Sequence, residues 1–173
     1  MGRTARQDAA KLPRTEFLNE QGLIFGQSYQ SNAVVADGTP PPAVSDPVTQ
    51  YMPSARPGSR APHVWLERRG ERLSTIDLFG GGFVLLTGAQ GVGWIDAVAR
   101  LAPEARPELV ALMVGGSGEV GDPEGTWGLA YAIEPDGAVL VRPDGYVGWR
   151  SRGGVDDPVR LLTQVLHRIL SVD

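Results

Sequence analysis

With 173 residues, 42% of them hydrophobic, and a net charge of −4, the chain has the size and composition of one domain that can fold without disulfides or a structural metal. The acidic balance excludes a general attraction to nucleic acid or acidic membranes, and the absence of cysteine excludes thiol redox catalysis and cysteine-based zinc sites. No stretch reaches the roughly 18 apolar residues of a membrane span, and residues 1–17 lack the apolar core of a signal peptide, so a soluble cytoplasmic protein is the default expectation.

The first part of the chain, residues 1–62, is predicted to be an extended N-terminal arm. Residues 22–35 favour one or two short strands, because β-branched and aromatic side chains such as Ile24 and Tyr29 suit a pleated surface. The Pro-rich stretch 37–47 cannot continue a helix or a central strand, so we expect an ordered extended segment or a linker there. A path with three more prolines follows, and we expect it to lie over a surface.

The second part, residues 63–173, is predicted to be an α/β domain. Residues 72–80 indicate a short strand or turn, and the continuous apolar run 82–88 predicts a strand that is buried on both faces. Residues 93–104 predict a helix with one apolar stripe. That stripe comprises Ile95, Val98, Ala99 and Ala102.

Three further regions complete the predicted domain. Residues 108–115 indicate a second buried strand, residues 125–133 are ambiguous, and residues 137–150 predict two strands joined at a Pro-Asp-Gly turn. The last helix is predicted to begin at Pro158, where one of the two preceding aspartates can cap it. Its predicted buried face comprises Leu161, Leu162, Val165, Leu166, Ile169 and Leu170.

The order of these elements predicts a small α/β sandwich and resembles the thioredoxin fold. In this resemblance the turn in "RPDGYV" matches the hairpin turn of thioredoxins, Gly137 falls at their cis-proline, and residues 87–94 fall at their Cys-x-x-Cys loop. Neither active feature is present in this sequence. The resemblance therefore implies a thioredoxin-like sandwich that lacks the CxxC motif and thioredoxin chemistry.

Three motifs in fixed order extend the resemblance to a family. They are "PGSRAPHVWL" at 57–66, "STIDLFGGGFVLLTG" at 74–88 and "DGAVLVRPDGYVGWR" at 136–150. Together they resemble the C-terminal domain of FAD-dependent aromatic hydroxylases, the phenol and polyketide hydroxylase type of group A flavin monooxygenases. Residues 22–39 are similar to the connection that leads from the substrate domain of those enzymes into this domain. The resemblance implies that hydroxylation occurs in the FAD and substrate domains, while this domain supports the architecture or a dimer.

The sequence departs from that family at the flavin machinery. A Gly-x-Gly-x-x-Gly after a first strand and a Gly-Asp motif are both missing, and Gly88, Gly91 and Gly93 have the dinucleotide spacing reversed. The acidic residue that a dinucleotide site needs at the end of the second strand is replaced by Val114 and glycine. We therefore expect no cofactor in this chain. With two histidines and no convincing carboxylate cluster, we also expect no metal site.

His63 and Asp77 are the candidate acid or base residues. His63 lies in the "RAPH" loop, and histidine is the side chain that most often serves as an acid or base in catalysis. Asp77 is expected near the start of the first helix of the domain, where thioredoxin-like proteins place reactive groups. A structural alternative stays open for each residue: His63 hydrogen-bonded within a packed loop, and Asp77 capping a turn.

Four side chains are candidate binding residues for a planar phenolic or polyketide ligand: Arg60, Trp65, Trp94 and Tyr131. Aromatic side chains also dominate cores that bind no ligand. Trp94, at the predicted start of a helix, is the better pocket candidate. Trp149 alternates with the apolar positions of its strand, so a structural role is expected for it.

Two functional hypotheses follow. The first is a stand-alone, non-redox interaction module of aromatic or polyketide hydroxylation, which docks on a flavin hydroxylase partner or self-associates as a homo-oligomer such as a dimer. The second is a small cofactor-independent enzyme, a cyclase, isomerase or hydratase, acting on an aromatic polyketide. It requires a cavity between the "RAPH" loop, residues 87–94 and the Gly-rich loop 115–125. The sequence does not decide between a separate protein and an excised domain.

Overall fold

The computed structural model describes residues 20–101 and 108–170. Its elements in chain order are α1 (Gln21–Phe25), β1 (Trp65–Arg68), β2 (Glu71–Ser74), a 3-10 turn (Thr75–Leu78), β3 (Phe83–Thr87), α2 (Val92–Leu101), β4 (Leu109–Met113), α3 (Trp127–Tyr131), β5 (Ala138–Val141), β6 (Val147–Ser151) and α4 (Pro158–Leu170). Across these two ranges, every helix is too short or too polar to cross a bilayer.

The main sheet has four strands in the order β4-β3-β5-β6. Strands β3 and β4 are parallel and are connected through α2, while β5 runs antiparallel to β3 and to β6. A second, two-stranded sheet is formed by β1 and β2. The predicted mixed α/β class, with a βαβ unit followed by a hairpin and a final helix, is confirmed.

The hairpin between β5 and β6 turns at the predicted Pro-Asp-Gly sequence. Gly145 has φ +79°, a left-handed conformation that a side chain with a Cβ adopts only at a cost. The N–H of Gly145 donates to the Arg142 carbonyl (2.9 Å), and the N–H of Arg142 donates to the Tyr146 carbonyl (2.8 Å). The local sequence therefore determines this turn.

Strand β3 separates two layers of the core because successive side chains of a strand point to opposite faces. Phe83 and Leu85 pack in a cluster with residues of α2 and α4. Val84 and Leu86 pack on the other face in a cluster with residues of β1, α3 and the arm. All five residues of β3 are buried, as the continuous apolar run predicts.

Two burial predictions are wrong in part. Strand β4 lies at the edge of the sheet, so it is not buried on both faces, and Val110 is 38% exposed. In α2 the buried residues are Trp94, Ala97 and Val98, whereas Ala99 is exposed and the predicted Ala102 lies outside the described residues. The large Trp94 side chain contributes more apolar surface than any alanine, so it fixes which face of the helix turns inward.

The strand prediction for residues 22–35 is also wrong at its start. Residues 21–25 form a helix whose Gly22 and Leu23 N–H groups donate to the Val48 carbonyl. Further along, Ser28 forms an isolated bridge with Ser59. These contacts with residues more than 20 positions away outweigh the β propensity of the local sequence.

The arm is packed on the domain rather than separate from it. Ala55 and Ala61 are 1% and 2% exposed and belong to the core layer that contains Val84. The Val35 N–H donates to the Gly148 carbonyl of β6 (2.8 Å). The Pro-rich stretch 37–47 forms neither helix nor strand.

Candidate functional site

The first sequence-predicted acid or base, His63, lies on the surface beside Ser74. Its Nδ1 is 2.6 Å from the Ser74 Oγ, and its ring meets the Trp65 ring edge-on at 4.7 Å between centroids. The Ser74 Oγ accepts a hydrogen bond from the Ile76 N–H (3.1 Å), which leaves its own proton for the imidazole. Ser74 is 8% exposed, so this pair faces solvent only through the histidine.

Asp77 caps the 3-10 turn. Its Oδ2 accepts a hydrogen bond from the Ser74 N–H (2.8 Å), and the Ser74 Oγ accepts from the Ile76 N–H, which completes a reciprocal capping box. The carboxylate is therefore used for local structure. Its catalytic role stays a prediction, as does that of His63.

The "RAPH" loop is fixed from inside the protein through the Pro62 carbonyl. The Thr75 Oγ1 (2.7 Å) and the Tyr131 hydroxyl (2.9 Å) both donate to this oxygen. The Thr75 Oγ1 also accepts a hydrogen bond from the Val64 N–H (3.0 Å). Tyr131 is fully buried, and its burial raises the pKa of the phenol. In this structure Tyr131 anchors a loop and has no surface for a ligand.

The two tryptophans among the candidate binding residues have different environments. Trp94 is 1% exposed, donates from Nε1 to the Asp136 carbonyl (2.9 Å) and packs edge-on against Trp149. Trp65 is 40% exposed, and the Arg72 guanidinium lies 4.2 Å from its ring centroid. Trp94 and Tyr131 lie in opposite core layers, so the structure does not bring the four candidates together.

The glycines between β3 and α2 are explained by contacts inside the chain. A Cβ on Gly91 would lie 1.7 Å from the Thr87 Oγ1, and a Cβ on Gly88 would lie 2.4 Å from the Pro135 carbonyl oxygen. The Thr87 hydroxyl is itself held by the Gly137 carbonyl (2.7 Å). These contacts give the glycines a packing role, and their spacing does not match the fingerprint of a dinucleotide site, so the turn does not fit FAD in that way.

An open cleft lies beside the Gly-rich loop. Its walls include Glu67, Arg69, Gly116 and Asp122, without His63, Asp77 or the turn at 87–94. The cavity that the enzyme hypothesis requires is therefore not formed there, and that hypothesis stays a prediction.

A second cleft, with a volume of about 190 Å³, lies within the arm. It is smaller than the roughly 300–1,000 Å³ of most small-molecule sites. Its walls are α1, the Pro-rich stretch and the segment that precedes β1, and they include Phe25, Pro42, Tyr51, Met52, Arg56 and Arg60. No Asp or Glu of the described ranges is among its lining residues. We call this the arm cleft.

Arg60 gives the arm cleft its positive charge together with Arg56. The Arg60 guanidinium lies 5.5 Å from the Tyr146 ring centroid, and its Nε is buried without a hydrogen-bond partner in the described residues. Burial raises the pKa of the Tyr51 phenol, against the opposing positive charge of Arg60. Within residues 20–101 and 108–170, neither arginine forms an ion pair with a carboxylate.

A buried ion pair that the sequence did not reveal joins the arm to the sheet. Arg150 of β6 has a side chain that is 1% exposed, and its Nε donates to the Asp37 Oδ2 (2.9 Å). The same guanidinium donates to the Thr39 Oγ1 (2.8 Å) and the Tyr131 carbonyl (3.1 Å). No local pattern distinguishes Asp37 or Arg150 from surface charges, so only the fold identifies the pair.

These features define a mixed α/β domain whose "RAPH" loop and β3–α2 turn are held by its own side chains, with an arginine-lined cleft in its arm. The model of the family described as "Aromatic-ring hydroxylase, C-terminal" matches residues 54–172. The chain belongs to this family. The matched region begins inside the arm, before residue 63.

The curated relatives that the chain resembles are complete hydroxylases. Aklavinone 12-hydroxylase RdmE of Streptomyces purpurascens is 43% identical over 85% of this chain and 26% of its own length. Phenol 2-monooxygenase of Pseudomonas sp. (strain EST1001) is 40% identical over 86% of this chain and 25% of its own length. The chain thus spans about a quarter of each of these relatives.

Two solved enzyme structures are likewise similar to this chain over about a quarter of their own length. The chain has a TM-score of 0.77 and 42% identity to aklavinone-11 hydroxylase in a ternary complex with FAD and aklavinone, over 87% of this chain and 27% of that one. For the flavin-dependent monooxygenase PieE in complex with FAD and substrate, the TM-score is 0.80 at 42% identity, over 90% of this chain and 27% of that one.

Proposed function

We propose that this chain acts as a thioredoxin-like, non-redox accessory module in the hydroxylation of phenolic or polyketide aromatic rings. The flavin and the substrate are bound by the preceding part of an FAD-dependent hydroxylase, and this module docks on that part. Its family membership and the names of its relatives support the kind of reaction. We place this function in the cytoplasm, together with the enzyme.

One observation supports the non-redox role above all. At the turn between β3 and α2, where thioredoxin-like proteins hold reactive groups, Gly91 packs against the Thr87 side chain and Gly88 against the Pro135 carbonyl. Trp94, the first large side chain of α2, points into the core and donates to a backbone carbonyl. The geometry of this turn therefore supports packing rather than chemistry.

We further propose that the chain divides functionally near residue 62. Residues 63–173 form the folded module, and the preceding arm is the connection to the FAD-containing part. The hydrogen bonds between the arm and the sheet support these two roles, since they fix the direction from which the arm reaches the sheet. Homo-oligomerisation, in this proposal, would be a property of the whole hydroxylase.

A chimera tests the proposal. In it, this chain replaces the matched C-terminal quarter of aklavinone-11 hydroxylase, and a truncated enzyme without that quarter is the control. We expect the chimera to retain flavin absorbance and to hydroxylate aklavinone, and the truncated enzyme to lose most of both. A colourless, inactive chimera whose module is folded by circular dichroism would contradict the proposal.

The isolated chain tests the non-redox claim separately. After incubation with FAD and gel filtration, we expect no flavin absorbance to elute with it. A yellow protein would show that the chain binds flavin by itself. Elution as a stable dimer would support self-association in place of docking.

A further inference from the structure

The exposed apolar side chains of this protein are concentrated in the arm. Of the large hydrophobic residues that are exposed, six lie between residues 23 and 52: Leu23, Ile24, Phe25, Tyr29, Val48 and Met52, with exposures of 42–59%. Helix α1 buries only Gly22 among its five residues. An apolar patch of this kind on a soluble domain marks an interaction surface. We call the exposed side of α1 with Val48 and Met52 the arm face.

The positive charges beside the arm face favour an anionic partner. Arg56 and Arg60 line the adjacent arm cleft, and no carboxylate of the described residues pairs with either. The buried Arg60 Nε also has no hydrogen-bond partner there. The positive charge of this guanidinium is thus not balanced by a carboxylate of the described residues, and a carboxylate brought by another surface would pair with its terminal nitrogens.

A second copy of this chain is a poor partner for this surface. Identical patches meet each other in a two-fold interface. The arm cleft would then place Arg56 and Arg60 against the same arginines, and no Asp or Glu among its described lining residues would offset their repulsion.

The position of the arm in the chain identifies a better partner. The family model describes a C-terminal domain and begins at residue 54, so the arm face precedes it. The relatives nevertheless match 85% or more of this chain and continue for about three quarters of their length outside it. The arm face therefore lies where the larger part of such an enzyme joins this domain.

We propose that the arm face is the surface on which the FAD-containing part of the hydroxylase docks, and that a carboxylate of that part enters the arm cleft to pair with Arg60. This inference rests on the proposed function and adds the surface and the chemistry of the partner: an apolar ridge against α1, and an Asp or Glu beside it.

Hydrogen exchange in the chimera tests the docking surface directly. We expect the amides of residues 24–26 to exchange at least tenfold more slowly in the chimera than in the isolated chain, because docking covers α1. The Val139 and Leu140 amides of the central strand β5 serve as the reference and should not differ. A yellow, active chimera whose α1 amides exchange as fast as in the isolated chain would overturn the inference and leave the proposed function standing. A colourless, inactive chimera with a folded module would contradict the proposed function itself.

A matched pair of variants in the chimera tests whether the arm face is needed for docking and for flavin retention. Ile24→Asp places a charge on the arm face, and Val92→Asp places the same charge on α2 at nearly equal exposure, 59% and 57%. We expect at least a tenfold loss of α1 protection and a loss of flavin retention for Ile24→Asp only. Arg60→Met, which keeps the apolar stem, should weaken protection at least threefold. Equal effects of Ile24→Asp and Val92→Asp, or no effect of Arg60→Met, would contradict the assigned surface or its charge pairing.

Discussion

Asp37 and Arg150 are 113 positions apart in the sequence and form a buried ion pair that ties the arm to strand β6. The guanidinium is almost fully buried, and it is held by three oxygen acceptors: the carboxylate, the Thr39 hydroxyl and the Tyr131 carbonyl. The pair lies close to the Val35 N–H bond to Gly148, so it fixes how the arm crosses the sheet.

Asp37→Asn should lower the free energy of unfolding by about 1–3 kcal/mol, because it leaves the charge of Arg150 buried without its counter-ion. The control is Asp144→Asn, since Asp144 pairs with Arg142 at the surface with 47% of its side chain exposed. That variant should change stability by less than about 1 kcal/mol. Urea unfolding measures both, and equal losses would contradict a special role for the buried pair.

The same pair gives the stability a pH dependence with a defined sign. Burial opposes ionisation of Asp37, but hydrogen bonds from Thr39 and Arg150 and the arginine charge outweigh it, so the pKa of Asp37 lies below its ordinary value. A carboxylate with a lowered pKa stabilises the fold above its unfolded pKa of about 3.9 and loses this effect as pH falls through the folded value. The stability difference between the wild type and Asp37→Asn should be constant from pH 5 to 7. It should shrink below about pH 4. A difference that grows on acidification would contradict this assignment.

Gly91, before α2, and Gly93, within its first turn, should respond differently to alanine. Gly91→Ala would place a Cβ 1.7 Å from the Thr87 Oγ1, whose hydroxyl is held by the Gly137 carbonyl, so a loss of about 1–3 kcal/mol is expected. Gly93→Ala meets only the Pro158 ring at 3.4 Å and lies in the first turn of α2. It should be neutral or stabilise by up to about 0.5 kcal/mol. Thermal unfolding distinguishes the two, and a harmless Gly91→Ala would contradict the close packing of Gly91 against Thr87.

The Thr75 and Tyr131 hydroxyls both donate to the Pro62 carbonyl, so we expect the effects of removing them on stability to be coupled. Tyr131→Phe removes one of the two donors to this oxygen and should cost about 1 kcal/mol. Thr75→Val removes the other donor and also the acceptor of the Val64 N–H, so about 2 kcal/mol is expected. The double variant should lose more than the sum, because only then is the carbonyl left without a donor. Strict additivity in urea unfolding would show that the two hydroxyls do not share this role.

Some elements could be predicted from the sequence because their causes are local. Helix α4 begins at Pro158, the Arg160 N–H donates to the Asp157 Oδ1 (3.0 Å), and the predicted stripe supplies its buried residues. The turn at Gly145 and the uniform burial of β3 follow in the same way from a short stretch of residues. The resemblance to the hydroxylase C-terminal domain was correct because three motifs occur in fixed order.

Other features were missed because contacts between distant residues decide them. Residues 22–35 were predicted to form short strands, yet residues 21–25 form a helix whose N–H groups donate to the Val48 carbonyl. The β1–β2 pairing was not predicted, and the inward face of α2 was set by Trp94 rather than by the alanines. For the candidate site, the sequence named Arg60 but gave no sign of the arm cleft around it.

The sequence by itself determined the fold class, the final helix, the hairpin turn and the family, since propensity and capping act over a few neighbouring residues and the order of motifs is read directly along the chain. Only the tertiary structure decided which polar side chains are structural. It paired Asp37 with Arg150, joined Tyr131 and Thr75 to one carbonyl, and left the Arg60 Nε without a partner in the described residues. The physical reason is that burial and pairing depend on which distant segments meet, and no local pattern contains that information.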